Sequence, residues 1–472
     1  MIFSSNIFMF GFLPIVLPLY FLLPQRFRNL FLFLCSVFFW FWANGAIVLV
    51  FLLSSAVTYC SGRIIARSNP KRARAALAAT ILINLAILIY YKYFNFLWSQ
   101  LALLLGLFSL HLSQPAKIAL PIGISFFIFE AISYSVEIYR KAENPARRFT
   151  DFGAYLGAFP HFVAGPIVRF SDVSDKLRSR PVTVDLFFSG ICRFAQGLGK
   201  KVFLANTLGR AADRVFDLSS AQLTTPLAWL GILCYTLQIY YDFSGYSDMA
   251  IGLGRFLGFT FPENFDQPYR SKNITEFWQR WHITLATWLR DFLFIPLGAN
   301  RKGPARTYLN IFIVFFLCGL WHGAAWTFVV WGVYHGVLLI GERALRNRFH
   351  FQTSGIPGNV LTFLLLIIGW VFFRSQSLKA AWSFLGVMFS LKIQPSQFQF
   401  FPFRYYLEND VLIAIVLGAI FAWFPAENLE LDAVKRAAGW TVLRASVALL
   451  LILYAATVLS TVGFNPFIYS RF

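Results

Sequence analysis

The sequence predicts an all-α polytopic membrane protein of about eleven transmembrane helices, with re-entrant and interfacial helices among them. Three observations carry this. Of 472 residues, 58% are hydrophobic and only 13% charged, about half the charged share of a soluble chain. Apolar runs long enough to cross a bilayer recur along the chain, and each crossing needs roughly 20 residues. The Lys and Arg residues gather between those runs, as the positive-inside rule expects. No long polar or low-complexity linker interrupts the chain, and no internal repeat is visible, so residues 1–472 read as a single membrane-embedded domain.

Taken in order, residues 6–23 form a first span. Arg26 and Arg28 follow it, which predicts a cytoplasmic loop and an outer start. The stretch before Arg26 carries no positive charge and reads as a retained span, not a cleaved signal. Residues 29–60 break at Ala43-Asn44-Gly45 into two short spans. Arg63, Arg67, Lys71, Arg72 and Arg74 then mark a second cytoplasmic loop. Residues 76–110 exceed one crossing and predict a span plus a re-entrant or interfacial piece. Residues 121–139 form another span. Residues 153–168 are broken by prolines and glycines, a backbone tolerated at membrane depth only where protein or trapped water satisfies it. That reads as a re-entrant, site-lining element. Helices follow at 186–205 and 225–241. Aromatics, prolines and charges then alternate over 241–300, which predicts interfacial and re-entrant helices, not a span. Spans return at 308–340, 360–373, 411–424 and 440–462.

The net charge of +20 would suggest nucleic acid in a soluble chain. Between membrane spans it points instead to the anionic lipid of the bilayer, with a phosphate-rich acyl-CoA donor as a second partner and no nucleic acid. Cys35, Cys60, Cys192, Cys234 and Cys318 form no C-x-x-C pair and read as small apolar residues.

The chemistry-bearing residue that stands out is His322, in Leu320-Trp321-His322-Gly323. It lies inside a 35-residue run, 307–341, that holds no Asp, Glu, Lys or Arg. An imidazole there must face protein or a water-filled cavity, and it is the side chain best suited to moving a proton near neutral pH. The functional reading is a general base, or the partner of an acyl-transfer intermediate. The bland reading is a core histidine bonded to a neighbouring carbonyl, which the small residues Gly319, Gly323, Ala324 and Ala325 would also suit. His282, in Phe277-Trp278-Gln279-Arg280-Trp281-His282-Ile283, is a second candidate; its bland reading is an aromatic anchor at the membrane interface. Asp242 and Asp248 lie in Asp242-Phe243-Ser244-Gly245-Tyr246-Ser247-Asp248, beside an apolar run. They read as functional carboxylates or as partners of Arg255, Arg270, Arg280 or Arg290. Glu130, Tyr134 and Glu137 share one helix face, lining a polar path or pairing with arginines. His335 follows His322 by thirteen residues, which on one straight helix points it to the opposite side. His161 sits beside Gly165 and Pro166 within reach of a cavity, and His111 and His350 read as interface residues. Gly197-Leu198-Gly199-Lys200-Lys201 is not a P-loop, no dinucleotide glycine pattern or nucleophile elbow is present, and no histidine pair has metal-ligand spacing. No metal or bound cofactor is expected.

Taken together, Phe3-Ser4-Ser5-Asn6, His161-Phe162-Val163-Ala164-Gly165-Pro166-Ile167, the Asp242–Asp248 segment, Pro262-Glu263-Asn264-Phe265, Phe277-Trp278-Gln279-Arg280-Trp281-His282, the intramembrane Trp321-His322-Gly323 and Asn465-Pro466-Phe467-Ile468-Tyr469 resemble the membrane-bound O-acyltransferases. Within that family they are more similar to the bacterial branch that O-acetylates alginate and other exopolysaccharides. The resemblance implies helices around a central funnel and acyl transfer to a hydroxyl, with the family's near-invariant histidine at His322 and its second at His282. It implies acetyl-CoA as cytoplasmic donor substrate, passage of the acetyl group across the bacterial inner membrane, and a periplasmic partner acetyltransferase that places it on sugar hydroxyls. The related D-alanyl branch leaves the acyl group open. A proton-coupled transporter or flippase is the rival class, favouring inverted repeats that the sequence lacks. A non-catalytic export scaffold is a third, and it would tolerate loss of His322.

A cysteine placed in the 63–74 loop of an otherwise cysteine-free chain should resist an impermeant thiol reagent in intact cells. One placed ahead of the first span should react. Labelling of the 63–74 loop from outside would invert the topology.

Overall fold

Leu30, Leu34, Phe38 and Trp42 are exposed at helical spacing while Leu32, Phe33, Phe39 and Trp40 are buried. A helix apolar on both faces is one packed against protein on one side and lipid on the other. This pattern sets the architecture of the computed structural model, which describes residues 3–110, 112–113, 115–161, 165–350, 352–395, 402–424, 438–461 and 467–468. His111, Phe162 to Ala164, and Asn465, Pro466 and Tyr469 lie outside the described residues. Six helical runs are long and apolar enough to cross a membrane, and three shorter apolar helices accompany them, among the described residues.

In chain order the helices are α1 (Leu13–Leu22), α2 (Gln25–Asn44), α3 (Val48–Arg67), α4 (Pro70–Leu88), α5 (Phe94–Gly106), α6 (Ile124–Tyr139), α7 (Phe149–Leu156), α8 (Phe170–Arg178), α9 (Val184–Gly199), α10 (Asn206–Phe216) and α11 (Thr225–Phe256). The order continues with α12 (Ile274–Arg280), α13 (Ile283–Leu289), α14 (Gly303–His322), α15 (Trp326–Phe349), α16 (Gly355–Arg374), α17 (Leu378–Phe389), α18 (Phe403–Tyr406), α19 (Asn409–Trp423) and α20 (Ala438–Thr461). The chain divides into two compact units: Met1–Gly190 with Ala250–Pro262, and Ile191–Met249 with Glu263–Arg471.

In the first unit, the predicted break at Ala43-Asn44-Gly45 is a 3₁₀ turn, Gly45–Ile47, between α2 and α3. Gly45 has φ +58°, a conformation that costs an L side chain energy and glycine little. Polar side chains hold α3 to α4: Ser54 Oγ donates to Asn84 Oδ1 (2.7 Å), and Asn84 Nδ2 donates to Thr58 Oγ1 (3.3 Å). Residues 76–110 depart from the expected span plus re-entrant piece. Pro70–Gly106 is one 37-residue helical run, carried through a π turn at Ile89–Tyr93. The turn inserts an extra residue per hydrogen-bonded ring, and the buried Lys92 in it donates to Ser125 Oγ (3.1 Å). The polar face of α6 is held by backbone N–H groups, a serine hydroxyl and a histidine among the described residues. Glu130 lies 3.1 Å from His161 Nδ1 and accepts the Val168 N–H (3.1 Å). The Tyr134 hydroxyl accepts the Ala146 N–H, and Glu137 accepts from Ser171.

In the second unit two expectations are corrected. Helix α11 does not end near residue 241 but runs on to Phe256, so Asp242 and Asp248 are helical and buried. Their partners are not the arginines proposed from sequence. Lys201 Nζ lies 2.5 Å from Asp242, and Arg193 and Lys200 each lie 2.8 Å from Asp248. These pairs make the carboxylates tolerable inside a helix that sequence reading stopped short. The uncharged run 307–341 is likewise two antiparallel helices, α14 and α15, joined at Gly323–Ala325, so His322 is the last residue of α14 rather than a mid-helix residue.

That hairpin depends on glycine. A β-carbon on Gly319 would stand 2.4 Å from the Phe328 carbonyl oxygen, and one on Gly332 would stand 2.3 Å from that of Phe315. Backbone against backbone is the closest approach two helices can make. Gly319→Val or Gly332→Val should therefore lower the melting temperature in detergent, by overpacking of about 1–3 kcal/mol. Gly341→Ala, whose β-carbon meets nothing within 4 Å, should leave it unchanged. Equal melting of all three would refute the tight hairpin.

Candidate active site

A short strand-like pairing positions His282. Phe265 and Trp281 form an isolated antiparallel bridge. The Asp266 N–H donates to the Arg280 carbonyl (3.0 Å) and the Ile283 N–H to the Asn264 carbonyl (2.9 Å). This zips 264–266 onto 280–283 and sets the Asn264 side chain beside His282. His282 itself takes φ +45°, ψ +54° at the start of α13, a left-handed conformation rare outside glycine and costing about 1–3 kcal/mol.

The hydrogen bonds around Asn264 fix the protonation pattern. Its Oδ1 accepts from the Thr284 backbone N–H (3.4 Å) and hydroxyl (2.9 Å), and its Nδ2 donates to Ser247 Oγ (3.1 Å). A backbone N–H only donates, so the atom it meets is the amide oxygen. His282 Nδ1 lies 3.0 Å from that same oxygen and must carry the proton. The lone pair of the neutral ring is then on Nε2, which is buried and has no hydrogen-bond partner among the described residues. His282 is fully buried, unlike an interfacial anchor.

His322, 3% exposed, sits in an aromatic cage. Its ring meets Trp321 and Trp331 edge-on at 4.9 Å between centroids, and Phe373 of α16 at 5.3 Å. Trp321 is also the neighbour of His282, at 6.0 Å, and Phe243 of α11 packs on the other side of His282 at 4.7 Å. One indole thus touches both imidazoles.

His335 is nearer to this cluster than its spacing suggested. The chain turns back at Gly323, so the assumption of one straight helix fails. His335 meets Trp331 at 4.9 Å and Trp278 at 5.3 Å, placing Trp331 between His322 and His335. His161 belongs to the first unit, held by Glu130 and packed edge-on against Phe261. His350 caps α15 and is exposed. Sequence reasoning gave no chemical role to Asn264 or Trp331. The signal for Asn264 was present in Pro262-Glu263-Asn264-Phe265, but nothing local tied it to a histidine 18 residues on.

The profile of the membrane-bound O-acyltransferase family matches residues 92–382. The chain belongs to this family. A probable alginate O-acetylase AlgI of Pseudomonas putida is 47% identical over 83% of this chain and 80% of its own length. A peptidoglycan O-acetyltransferase of Helicobacter pylori is 34% identical over 83% of this chain and 80% of its own. A teichoic acid D-alanyltransferase of Bacillus subtilis is 29% identical over 52% of this chain and 65% of its own. The family member described here is an O-acyltransferase and a multi-pass protein of the bacterial inner membrane.

Replacing Asn264 by Ala would remove the acceptor of His282 Nδ1–H and the amide oxygen that Thr284 donates to. The buried donors should cost about 1–3 kcal/mol, read as a lower melting temperature. Acyl transfer should fall more steeply than the folded fraction, because the ring loses its fixed tautomer. An Asn264→Ala protein with unchanged melting and rate would remove Asn264 from the site.

Proposed function

We propose that this O-acyltransferase takes acetyl groups from cytoplasmic acetyl-CoA and passes them across the inner membrane for O-acetylation of an exopolysaccharide, alginate being the reading the relatives favour, with His282 and His322 as its catalytic residues in a single acyltransferase domain over 1–472. The observation that carries the site is Trp321 touching both imidazoles, with the His282 tautomer fixed by Asn264. The relatives that support the polymer are the alginate O-acetylases. The peptidoglycan and teichoic acid enzymes mark the alternatives within the family. A periplasmic acetyltransferase receives the group and completes the transfer to the sugar.

A thioester is already activated, so the protein must deprotonate an oxygen nucleophile and hold the resulting oxyanion. His282 Nε2, an acceptor in its fixed tautomer, takes the hydroxyl proton. The oxygen attacks the thioester carbonyl, forming a C–O bond, and His322 donates a hydrogen bond to the tetrahedral oxyanion. Collapse breaks the C–S bond, and the departing thiolate takes the proton back from His282. No net charge is left in the apolar cage after the cycle.

His322→Ala should abolish acetylation of the exported polymer with the protein at normal amounts in the membrane, and His282→Ala should do the same. Loss of a positioned base or donor typically costs about 10²–10⁴-fold. His322→Gln, which keeps a donor, should retain more transfer than His282→Gln, which offers no comparable base. Near-normal acetyl content by NMR of the polymer in His322→Ala cells would sink the catalytic assignment. The reverse order of the two Gln variants would exchange the roles.

A further inference from the structure

The first unit holds a polar cleft of about 380 Å³, a size that suits a small ligand. Among the described residues its wall carries Arg26, Arg147, Arg148 and Arg178 against a single acid, Asp151. That acid is engaged: Asp151 Oδ1 accepts from Asn29 Nδ2 at 2.7 Å. Arg147 and Arg148 make no side-chain hydrogen bond or ion pair among the described residues. Arg178 reaches only the exposed Asp175, at 3.8 Å. Asn29 also joins the wall to a buried cation, its Oδ1 accepting from Arg180 Nη1 at 2.6 Å. Arg180 is 5% exposed. Its guanidinium further meets the Tyr20 hydroxyl, the Lys176 carbonyl and the Phe259 ring. It forms no ion pair, and its Nη2 has no partner, among the described residues. A buried guanidinium among neutral groups is costly, and an anion held in the cleft would offset its field.

We propose that this cleft seats the headgroup of a phospholipid with two phosphates, of the cardiolipin class, with its four arginines on the phosphates. Guanidinium forks take phosphate oxygens in pairs, and basic pockets between membrane helices on the cytoplasmic side suit such headgroups. The side of the membrane fits. Arg63 Nη1 and the Tyr59 hydroxyl both donate to the Arg147 carbonyl, at 3.0 and 3.3 Å. These bonds tie residue 147 to the end of α3, and so to the basic 63–74 loop that the positive-inside rule makes cytoplasmic. Helix α2 supplies a bed for the chains. Arg26, Leu30 and Leu34 recur at four-residue spacing on one face. Leu30 and Leu34 are exposed, in a run long and apolar enough to cross a membrane. A lipid whose phosphates rest by Arg26 can lay its chains along that stripe. Gln25 lines the cleft as well, and at this end α2 has no capping side chain and no acid in its first turn. The positive end of the helix dipole is therefore uncompensated there. The cleft belongs to the first unit and both catalytic candidates to the second, so this site does not rest on the acyl-transfer reading.

The test uses the purified full chain with Arg147→Gln and Arg148→Gln combined. A second double variant, Arg72→Gln with Arg74→Gln, makes the same charge change at exposed positions of the 63–74 loop. Native mass spectrometry reads retention of cardiolipin over phosphatidylcholine, and calorimetry in detergent reads binding of inorganic pyrophosphate. The parent and the 72/74 variant should retain cardiolipin selectively. The 147/148 variant should lose about tenfold of that selectivity or more, as expected when charge-assisted hydrogen bonds are removed. Its melting temperature should be unchanged, and Lys at both positions should restore part of the retention. If the 147/148 variant melts early, Arg178→Gln, at an exposed position, should show the same loss in a stable protein. Equal loss in the 72/74 variant would overturn the cleft in favour of the basic face as a whole. Selectivity kept by the folded cleft variants, or missing from the parent, would also overturn it. So would pyrophosphate binding without cardiolipin retention, which would make the cleft a site for a soluble phosphate.

Discussion

The contact on which the site depends is the one between the backbones of α14 and α15 at Gly319 and Gly332. In a bilayer no hydrophobic force draws two apolar helices together, so association rests on close packing and hydrogen bonds. Two absent side chains let the helices meet at backbone distance. The turn at Gly323–Ala325 follows, and a β-carbon on Gly323 would stand 2.2 Å from the Phe328 ring. This closeness carries Trp331 of α15 onto His322 at the end of α14. Wider spacing would open the cage and admit lipid or water to the imidazole.

Several buried polar groups of the described interior are held by partners. Asn84 is bonded to Ser54 and Thr58, Glu130 to His161 and Val168, Asp242 to Lys201 and to the Ile468 N–H. The Ile468 contact also seats Phe467 on Phe243, at 6.0 Å, behind the ring that packs on His282. Neither ring nitrogen of the buried His335 has a partner among the described residues, and neither does the Nε2 of His282. Its other nitrogen is held by a dedicated residue, in a backbone conformation that costs energy, while Nε2 has no partner among the described residues. Such an arrangement suits the proton-accepting role proposed above for His282.

The membrane class was legible because apolar length and the placement of Arg and Lys are properties of the chain itself. The break at Ala43-Asn44-Gly45 was legible for the same reason. The length of α11 was not, because Asp242 and Asp248 look like interruptions until Lys201, Lys200 and Arg193 are brought to them by tertiary structure. The two histidines were visible by residue type and by their aromatic neighbours. Their meeting on Trp321, the role of Asn264 and the approach of His335 to Trp331 depend on a β-bridge and a helix reversal. Neither leaves a periodic mark in the sequence.

The hairpin is asymmetric in a way that bears on direction. Its two free ends carry Arg301, Lys302, Arg306, Arg343, Arg346 and Arg348, while the run between, 307–341, holds no charge. His322 lies at the uncharged turn, 19 residues from the start of α14, about 28 Å along a helix with 1.5 Å rise per residue. That is nearly the thickness of the hydrocarbon core. A coenzyme with several phosphates is costly to carry through such a layer, whereas a neutral acetyl group is not. If the basic end faces the cytoplasm, as its charge directs, the donor need only extend its thioester end toward the turn. For the acetyl-CoA donor proposed above, this geometry would keep the charged carrier at the basic end and bring only its acyl group to the turn.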